Sequence, residues 1–343
     1  MRHNSGGNAY NAALLRALAD LGMVTESCTV DGDWPVGSPA DRRRLGVLLT
    51  DIDDDGGPVT LVDGLVALGA PEELEAAAAA GMPAWILLHM PLADHPELER
   101  RALRAAAGVI CTSSSAAADL QQRHGPDLPD GGGIALPGTE PAPPAAGSEP
   151  PHLLVVAALL PNKSQHLLLR ALATLTDLAW TASFVGSDTA DQAYASLLRG
   201  ETERLGLWDR VRIPGELRGA ALEAEWAAAD LSLLVSQAET YGLVVTESLA
   251  RAVPVIVRRG TGATEALAAG TPAGAADLPG AAVELEDDPE PLAALLRRWL
   301  TEPDLRRQWR AAAEVSRNNL PGWDVTARAV LAILGLAAPG TPD

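Results

Sequence analysis

The sequence predicts an α/β protein built from two doubly wound parallel sheets. Short apolar runs alternate with amphipathic stretches along the chain, as expected of successive βαβ units. The alternation stops at the Pro-rich polar stretch Leu136-Pro-Gly-Thr-Glu-Pro-Ala-Pro-Pro-Ala-Ala-Gly-Ser-Glu-Pro-Pro151 and then begins again. With 343 residues, 47% of them apolar, the chain can bury a core in each half. The predicted division is a first domain at 1–140, a linker at 141–151, a second domain at 152–320, and a last helix with its tail at 321–343.

The first half opens with polar residues and Gly6-Gly7, followed by an amphipathic helix reaching Leu21. A short strand is predicted over 27–30 and a helix over 41–52. Asp53-Asp54-Asp55 then reads as a solvated turn rather than a metal site, because no His stands nearby. An apolar stretch at 58–63, a helix over 71–80, a strand over 84–89, a helix over 96–107 and a strand over 108–112 follow, and Ser113 offers an N-cap to the next helix. In the second half the strands are predicted at 152–158, 180–186, 210–213, 231–238, 254–257 and 282–285. Helices fall between them at 165–175, 192–205 and 219–228, from Gly242, at 264–269, and as a pair over 291–317. Asp324 is predicted to cap the last helix.

The net charge of −19 argues against nucleic acid or an anionic membrane surface as a partner. Cys28 and Cys111 cannot build a disulfide framework or a Cys-rich metal site, which fits a reducing compartment. No stretch has the length and apolarity of a membrane span. A soluble, cytoplasmic protein is expected, with oligomerisation left open.

The chemistry concentrates around Glu239-Thr-Tyr-Gly-Leu-Val-Val-Thr-Glu247. An apolar strand precedes it and Pro254 starts another, so the segment is the loop and helix of a βαβ unit. In such a unit the loop and the first helical turn face the ligand crevice, and free amides there suit phosphate. Two carboxylates beside an anion site would repel it unless they bind neutral groups, such as sugar hydroxyls. Lys163 is the only lysine of the chain and follows the first strand of the second half, where its ammonium can reach a phosphate. Its loop lacks the P-loop spacing. Gly6-Gly7 either lets a ligand approach a helix start or is a plain turn, and the same pair of readings applies to Gly260-Thr-Gly-Ala-Thr-Glu265. His89 ends an apolar strand, where it bonds either local backbone or a ligand. No Gly-x-Gly-x-x-Gly follows a strand, which counts against a nicotinamide cofactor, and no Gly-x-Ser-x-Gly elbow is present. The crevice between the halves is the default binding site.

At these residues the chain resembles the retaining glycosyltransferases of GT-B fold grouped as family 4. The resemblance rests on the Glu-x7-Glu motif at Glu239 and Glu247, Ala250-Arg-Ala-Val-Pro-Val-Ile-Val257, the Leu-Leu-Pro-Asn-Lys163 loop, the Gly-Gly loop and the terminal Pro-Gly-Trp helix. It implies an acceptor-side first domain, a nucleotide-sugar-binding second domain, and a final helix crossing back to the first. Glu247 would bind ribose hydroxyls and Glu239 donor-sugar hydroxyls near the reacting carbon. Thr240, Tyr241, Gly242, Leu243 and Val244, with Lys163, would meet the donor and its diphosphate. Gly6 and Gly7 would leave room for donor and acceptor, and His89 would lie beside the donor sugar as a catalytic residue. No cofactor or metal is implied beyond the donor substrate. Many relatives carry Gly-Arg where this chain has Ala157-Ala158 and a common Gly where it has Ser164, so the expected diphosphate cation is replaced by Arg258, by Arg259 or by none. They also carry a strand before the Gly-Gly loop, so the first strand of the N-terminal domain is expected to be missing.

The function implied is transfer of a sugar, with retention, from a nucleotide-diphosphate sugar to a soluble acceptor, a small molecule or peptide. The alternatives are a GT-B nucleotide-sugar epimerase and a catalytically degenerate sugar-nucleotide-binding homologue. The acidic chain argues against stable membrane association.

Overall fold

A computed structural model describes residues 6–50, 59–275 and 277–338. The chain divides into two compact units, Met1–Gly138 with Trp323–Asp343, and Thr139–Gly322.

In the first unit α1 (Gly6–Asp20) and α2 (Pro39–Thr50) precede β1 (Leu61–Asp63), and α3 (Gly64–Ala67) and α4 (Pro71–Ala79) follow it. Then come β2 (Trp85–Leu88), α5 (Pro96–Ala105), β3 (Gly108–Cys111), α6 (Ser114–His124) and β4 (Gly131–Ile134). The four strands are parallel and lie in sequence order, β1-β2-β3-β4. Side chains alternate between the two faces with the period of a pleated strand. Ile86, Leu88, Val109 and Cys111 pack with α2, α4, α5 and α6. Leu87 and Ile110 point the other way, into a cluster with Tyr10, Leu14 and Leu18 of α1.

The second unit begins within the Pro-rich stretch, at Thr139, and that part of the stretch is bonded to it. Ala146 N donates to Ala227 O at 2.9 Å, Ser148 N to Asp230 Oδ2 at 3.0 Å, and Arg317 Nη2 to Ala142 O at 3.0 Å. Its elements are β5 (His152–Val156), α7 (Gln165–Ala173), β6 (Thr181–Val185), α8 (Gln192–Arg204), β7 (Val211–Gly215) and α9 (Ala220–Ala228). They continue through β8 (Leu231–Leu234), α10 (Leu243–Ala250), β9 (Val255–Arg258), α11 (Ala263–Leu267), β10 (Gly280–Val283), α12 (Glu290–Thr301) and α13 (Pro303–Arg317). All six strands are parallel, in the order β10-β9-β8-β5-β6-β7. One face packs Leu153, Val155, Phe184, Leu233 and Ile256 against α7, α8 and α12. The other buries Leu234, Val255 and Val257 against α10, α11 and α13. The strand order reverses between β5 and β8, so this sheet has its topological switch point there.

The last helix, α14 (Trp323–Ile333), belongs to the first unit. Its Ala327, Val330 and Leu331 share a core with α1, and Trp323 meets the Tyr10 ring edge-on at 5.2 Å between centroids.

Three local expectations are corrected, and one strand, β4, was not foreseen. Residues 27–30 are not a strand: Ser27, Cys28 and Thr29 stand in solvent and only Val30 packs on the core. Gly6 and Gly7 are the first residues of α1 rather than a loop before it. Asp324 falls in the first turn of α14, which begins one residue earlier. β4 is a strand of three glycines and one isoleucine that pairs with β3, where side chains would collide: a Cβ on Gly132 would lie 2.6 Å from Val109 O. The Asp53-Asp54-Asp55 turn lies outside the described residues.

Candidate functional site

In the second unit the polar residues gather at the carboxyl ends of β5 and β8. The chain leaving β5 forms a single turn of 3-10 helix, Pro161–Lys163, and enters α7 through Ser164. Ser164 takes the left-handed conformation, φ 54°, ψ 28°, which glycine adopts most freely. This turn places Lys163 at the switch point. The chain leaving β8 brings Glu239 to the same place, and Lys163 Nζ donates to Glu239 Oε1 at 2.6 Å. Gln237 N also donates to Asn162 O at 2.8 Å, so the two loops are joined through backbone as well. Both side chains retain solvent access, 21% for Lys163 and 15% for Glu239. An ammonium has three donors and only one is used on Glu239, leaving two for a further acceptor.

Glycine at 242 is what allows the helix to start here. Its φ is +92°, and a Cβ would stand 2.8 Å from Leu234 Cδ2 of β8. The first amides of α10 have no carbonyl one turn back, and the bond from Val245 N to Gly242 O at 2.9 Å is the first of this helix. Tyr241 is buried in the core beside α10, so only its backbone is available to a ligand. Thr240 lies between Glu239 and Tyr241 in the same loop.

Val245, Thr246, Ser248, Leu249 and Ala250 are buried, but Glu247 itself reaches solvent. Its carboxyl makes no hydrogen bond or ion pair among the described residues. The protein packed around it, with a smaller contribution from Glu223, raises its pKa above the usual carboxylate range against the opposing effect of Arg251. Such a group gains from a hydroxyl that donates to it.

Of the two candidate replacement cations, Arg258 is committed to the fold. It donates to Val235 O at 3.0 Å, to Leu285 O, and through Nη2 to Ser164 Oγ at 3.3 Å. It thereby ties the ends of three strands and the Lys163 loop together. Arg259 faces Ala282 O and Glu284 on the surface.

In the first unit His89 follows β2. Its Nε2 lies 2.8 Å from Asn11 Oδ1 and 3.5 Å from Asp63 Oδ2, and Asn11 Nδ2 donates to Asp63 Oδ2 at 2.7 Å. Asp63 Oδ1 is occupied by the Leu65 amide, capping α3. The Asn11 amide donates to Asp63, so its oxygen must accept from His89. That fixes the neutral tautomer with hydrogen on Nε2 and leaves Nδ1 as an acceptor. Burial lowers the His89 pKa, and the Asp63 carboxylate pulls it back only in part. Gly7 leaves the room: its Cβ would stand 3.0 Å from His89 Cδ2. Gly6 is exposed at the start of the same helix.

Asn11 and Asp63 were not singled out from sequence. A weak signal existed: Asn11 stands four residues after Gly7, on the same helix face, and Asp63 ends a strand before Gly64-Leu65, where an N-cap is favoured. Among the described residues no three His, Cys, Asp or Glu side chains are close enough to hold a metal ion. No described helix is long and apolar enough to cross a membrane.

Residues 139–315 match the family model of glycosyl transferases group 1, a span that contains Lys163, Glu239 and Glu247. The chain belongs to this family. Its two parallel sheets have the GT-B fold. A D-inositol 3-phosphate glycosyltransferase of Kineococcus radiotolerans is 32% identical over 189 residues, 53% of this chain and 43% of that protein. The match therefore spans less than half the length of that relative. Among solved structures, sucrose-phosphate synthase from Thermosynechococcus elongatus superposes with a TM-score of 0.72 at 19% identity, over 96% of this chain and 93% of that one. Anabaena HepE, solved with UDP and glucose, gives 0.64 at 21% identity, over 80% and 77%.

Proposed function

We propose that the protein is a retaining hexosyltransferase, close in kind to family 4, that moves a sugar from a nucleotide-diphosphate sugar to a soluble acceptor. One observation carries this reading: the only lysine and the first acid of the Glu-x7-Glu motif meet at 2.6 Å, at the switch point of a six-stranded parallel sheet. A cation beside a helix start suits a diphosphate, and carboxylates beside it suit hydroxyls. UDP and glucose in HepE support the same ligand class.

In this reading Lys163 uses its two remaining donors on diphosphate oxygens, together with the amides of Tyr241, Gly242, Leu243 and Val244. These charges offset the negative charge that grows on the leaving diphosphate as the glycosidic bond lengthens. Glu239, held by Lys163, keeps its second oxygen for sugar hydroxyls, and Glu247 takes the ribose hydroxyls. The acceptor attacks from the side the diphosphate leaves, and the leaving phosphate receives the acceptor proton, so no enzymic nucleophile is used. His89 contributes Nδ1 as an acceptor for a sugar hydroxyl, and Gly6 and Gly7 leave space beside it.

A thermal-shift panel of UDP, GDP, ADP and dTDP sugars tests the ligand class, because a ligand bound only by the folded state raises the midpoint. At least one nucleotide sugar is expected to stabilise the protein more than its free sugar does. No stabilisation by any of the four would reject the proposal, and an epimerised product formed without an acceptor would replace transfer by epimerisation.

A further inference from the structure

We propose that the second unit has another small-molecule site, at the amino end of its sheet, for a hydroxylated anion of the class of sugar phosphates and polyhydroxy acids. A cavity of about 470 Å³ opens there, within the range of small-molecule pockets. His152 opens β5, Thr181 opens β6, Arg212 lies near the start of β7, and Glu225 faces them from α9. The strands are parallel, so this end of β5 lies roughly 15 Å from the end that leads to Lys163. The proposal stands apart from the donor reading.

The polar groups are arranged for a ligand that both donates and accepts hydrogen bonds. His152 Nδ1 is engaged with Thr181 Oγ1 at 2.8 Å. Its other nitrogen, Nε2, is buried and has no hydrogen bond among the described residues, although the side chain is only 8% exposed. Glu225 Oε2 stands 3.5 Å away, at the far limit of a direct bond. Glu225 Oε1 is taken by Arg212, leaving Oε2 open. A ligand hydroxyl seated against both would donate to Oε2 and accept from Nε2–H. Burial lowers the His152 pKa, which keeps the ring neutral and suited to this role near pH 7.

Arg212 supplies the anion handle. Its bonds to Glu225 and Ser183 both use Nη2, and the side chain is 64% exposed, so among the described residues Nε and Nη1 form an open edge. The charges of the lining cancel, Asp209 with Arg210 and Glu225 with Arg212, so an anion would be held by the open edge of Arg212 and not by net charge. A lone water could bridge Nε2 and Oε2, but it would fill only about 30 Å³ of the space.

Calorimetric titration of the whole protein tests the site with ribose 5-phosphate, gluconate, inorganic phosphate and ribose. Ribose 5-phosphate or gluconate is expected to bind at least 10-fold more tightly than phosphate or ribose, and the tighter of the two identifies the source of the anion. Arg212→Ala and Glu225→Gln should each weaken that binding by 10-fold or more, whereas Lys163→Ala should leave it unchanged. Should Glu225→Gln fail to fold, the exposed Arg212→Ala carries the test. Binding lost in Lys163→Ala but kept in Arg212→Ala would overturn the proposal, as would phosphate alone binding as well as ribose 5-phosphate, or no binding by any probe.

Discussion

Both units set their polar groups after parallel strands, but they do so with opposite chemistry. The second unit holds a direct ion pair, Lys163 with Glu239, and a lone raised carboxyl, Glu247. The first holds a chain from His89 through Asn11 to Asp63, in which the imidazole and amide are neutral and the only charge is at the far end. Charge placed beside a helix start suits a diphosphate, whereas a neutral ring with an acceptor nitrogen suits a hydroxyl. The two arrangements therefore differ in what disturbs them, one through backbone conformation and charge, the other through protonation.

The largest contrast is expected at the two glycines. Gly242→Ala forces a left-handed φ on a residue with a Cβ and drives that Cβ against Leu234, so urea unfolding should show a loss of about 1–3 kcal/mol. Gly7→Ala has no such backbone demand and presses only on the edge of the His89 ring. It should cost under about 1 kcal/mol while shifting the His89 ring resonances. Equal losses at both positions would show that the helix start at Gly242 is not under conformational constraint.

A second contrast concerns protonation. Asp63→Asn keeps a side-chain oxygen for the Leu65 amide but removes the charge that raises the His89 pKa, so an NMR titration should find that pKa lower still. The sign for stability follows. The folded protein binds this proton less readily than the unfolded chain, so the contribution of His89 is complete above the unfolded value of about 6.5 and is lost as pH falls below it. The variant should show a steeper loss on acidification than the parent.

The smallest effect belongs to Glu247. A raised carboxyl pKa means the ionised form is disfavoured in the folded protein, so this residue lowers stability once pH rises above the unfolded value of about 4.3. Glu247→Gln should therefore raise the neutral-pH melting midpoint by roughly 1–2 °C, a figure kept small by its solvent access, while weakening nucleotide-sugar binding. A lower midpoint would show that the carboxylate has a partner when ionised.

The α/β class was legible because each buried parallel strand is a continuous apolar run, as in Leu153-Leu-Val-Val and Val255-Ile-Val. β4 was not, because its glycines answer a close approach to β3 that only the tertiary structure reveals. In the second unit, spacing within one short motif marked Glu239 and Glu247, and its scarcity in the chain marked Lys163. Their direct contact depends on the β5–β8 neighbourhood, set by strand order. In the first unit the partners sit at 11, 63 and 89 on three elements, and none carries a local motif strong enough to announce the others. The exposure of Glu247 was also hidden, since apolar neighbours on a helix do not say which face a single residue takes.

The central claim is that Lys163 and Glu239 serve a nucleotide-sugar donor in different ways. Calorimetric titration of the stabilising donor into the parent, Lys163→Ala and Glu239→Ala, with turnover measured alongside, tests it most directly. Loss of charge-assisted bonds to phosphate should weaken binding by about 10- to 100-fold in Lys163→Ala. Glu239→Ala should bind within about 3-fold of the parent yet turn over roughly 100-fold more slowly, as expected where an interaction is made mainly in the transition state. Donor binding by Lys163→Ala equal to the parent's would contradict the account.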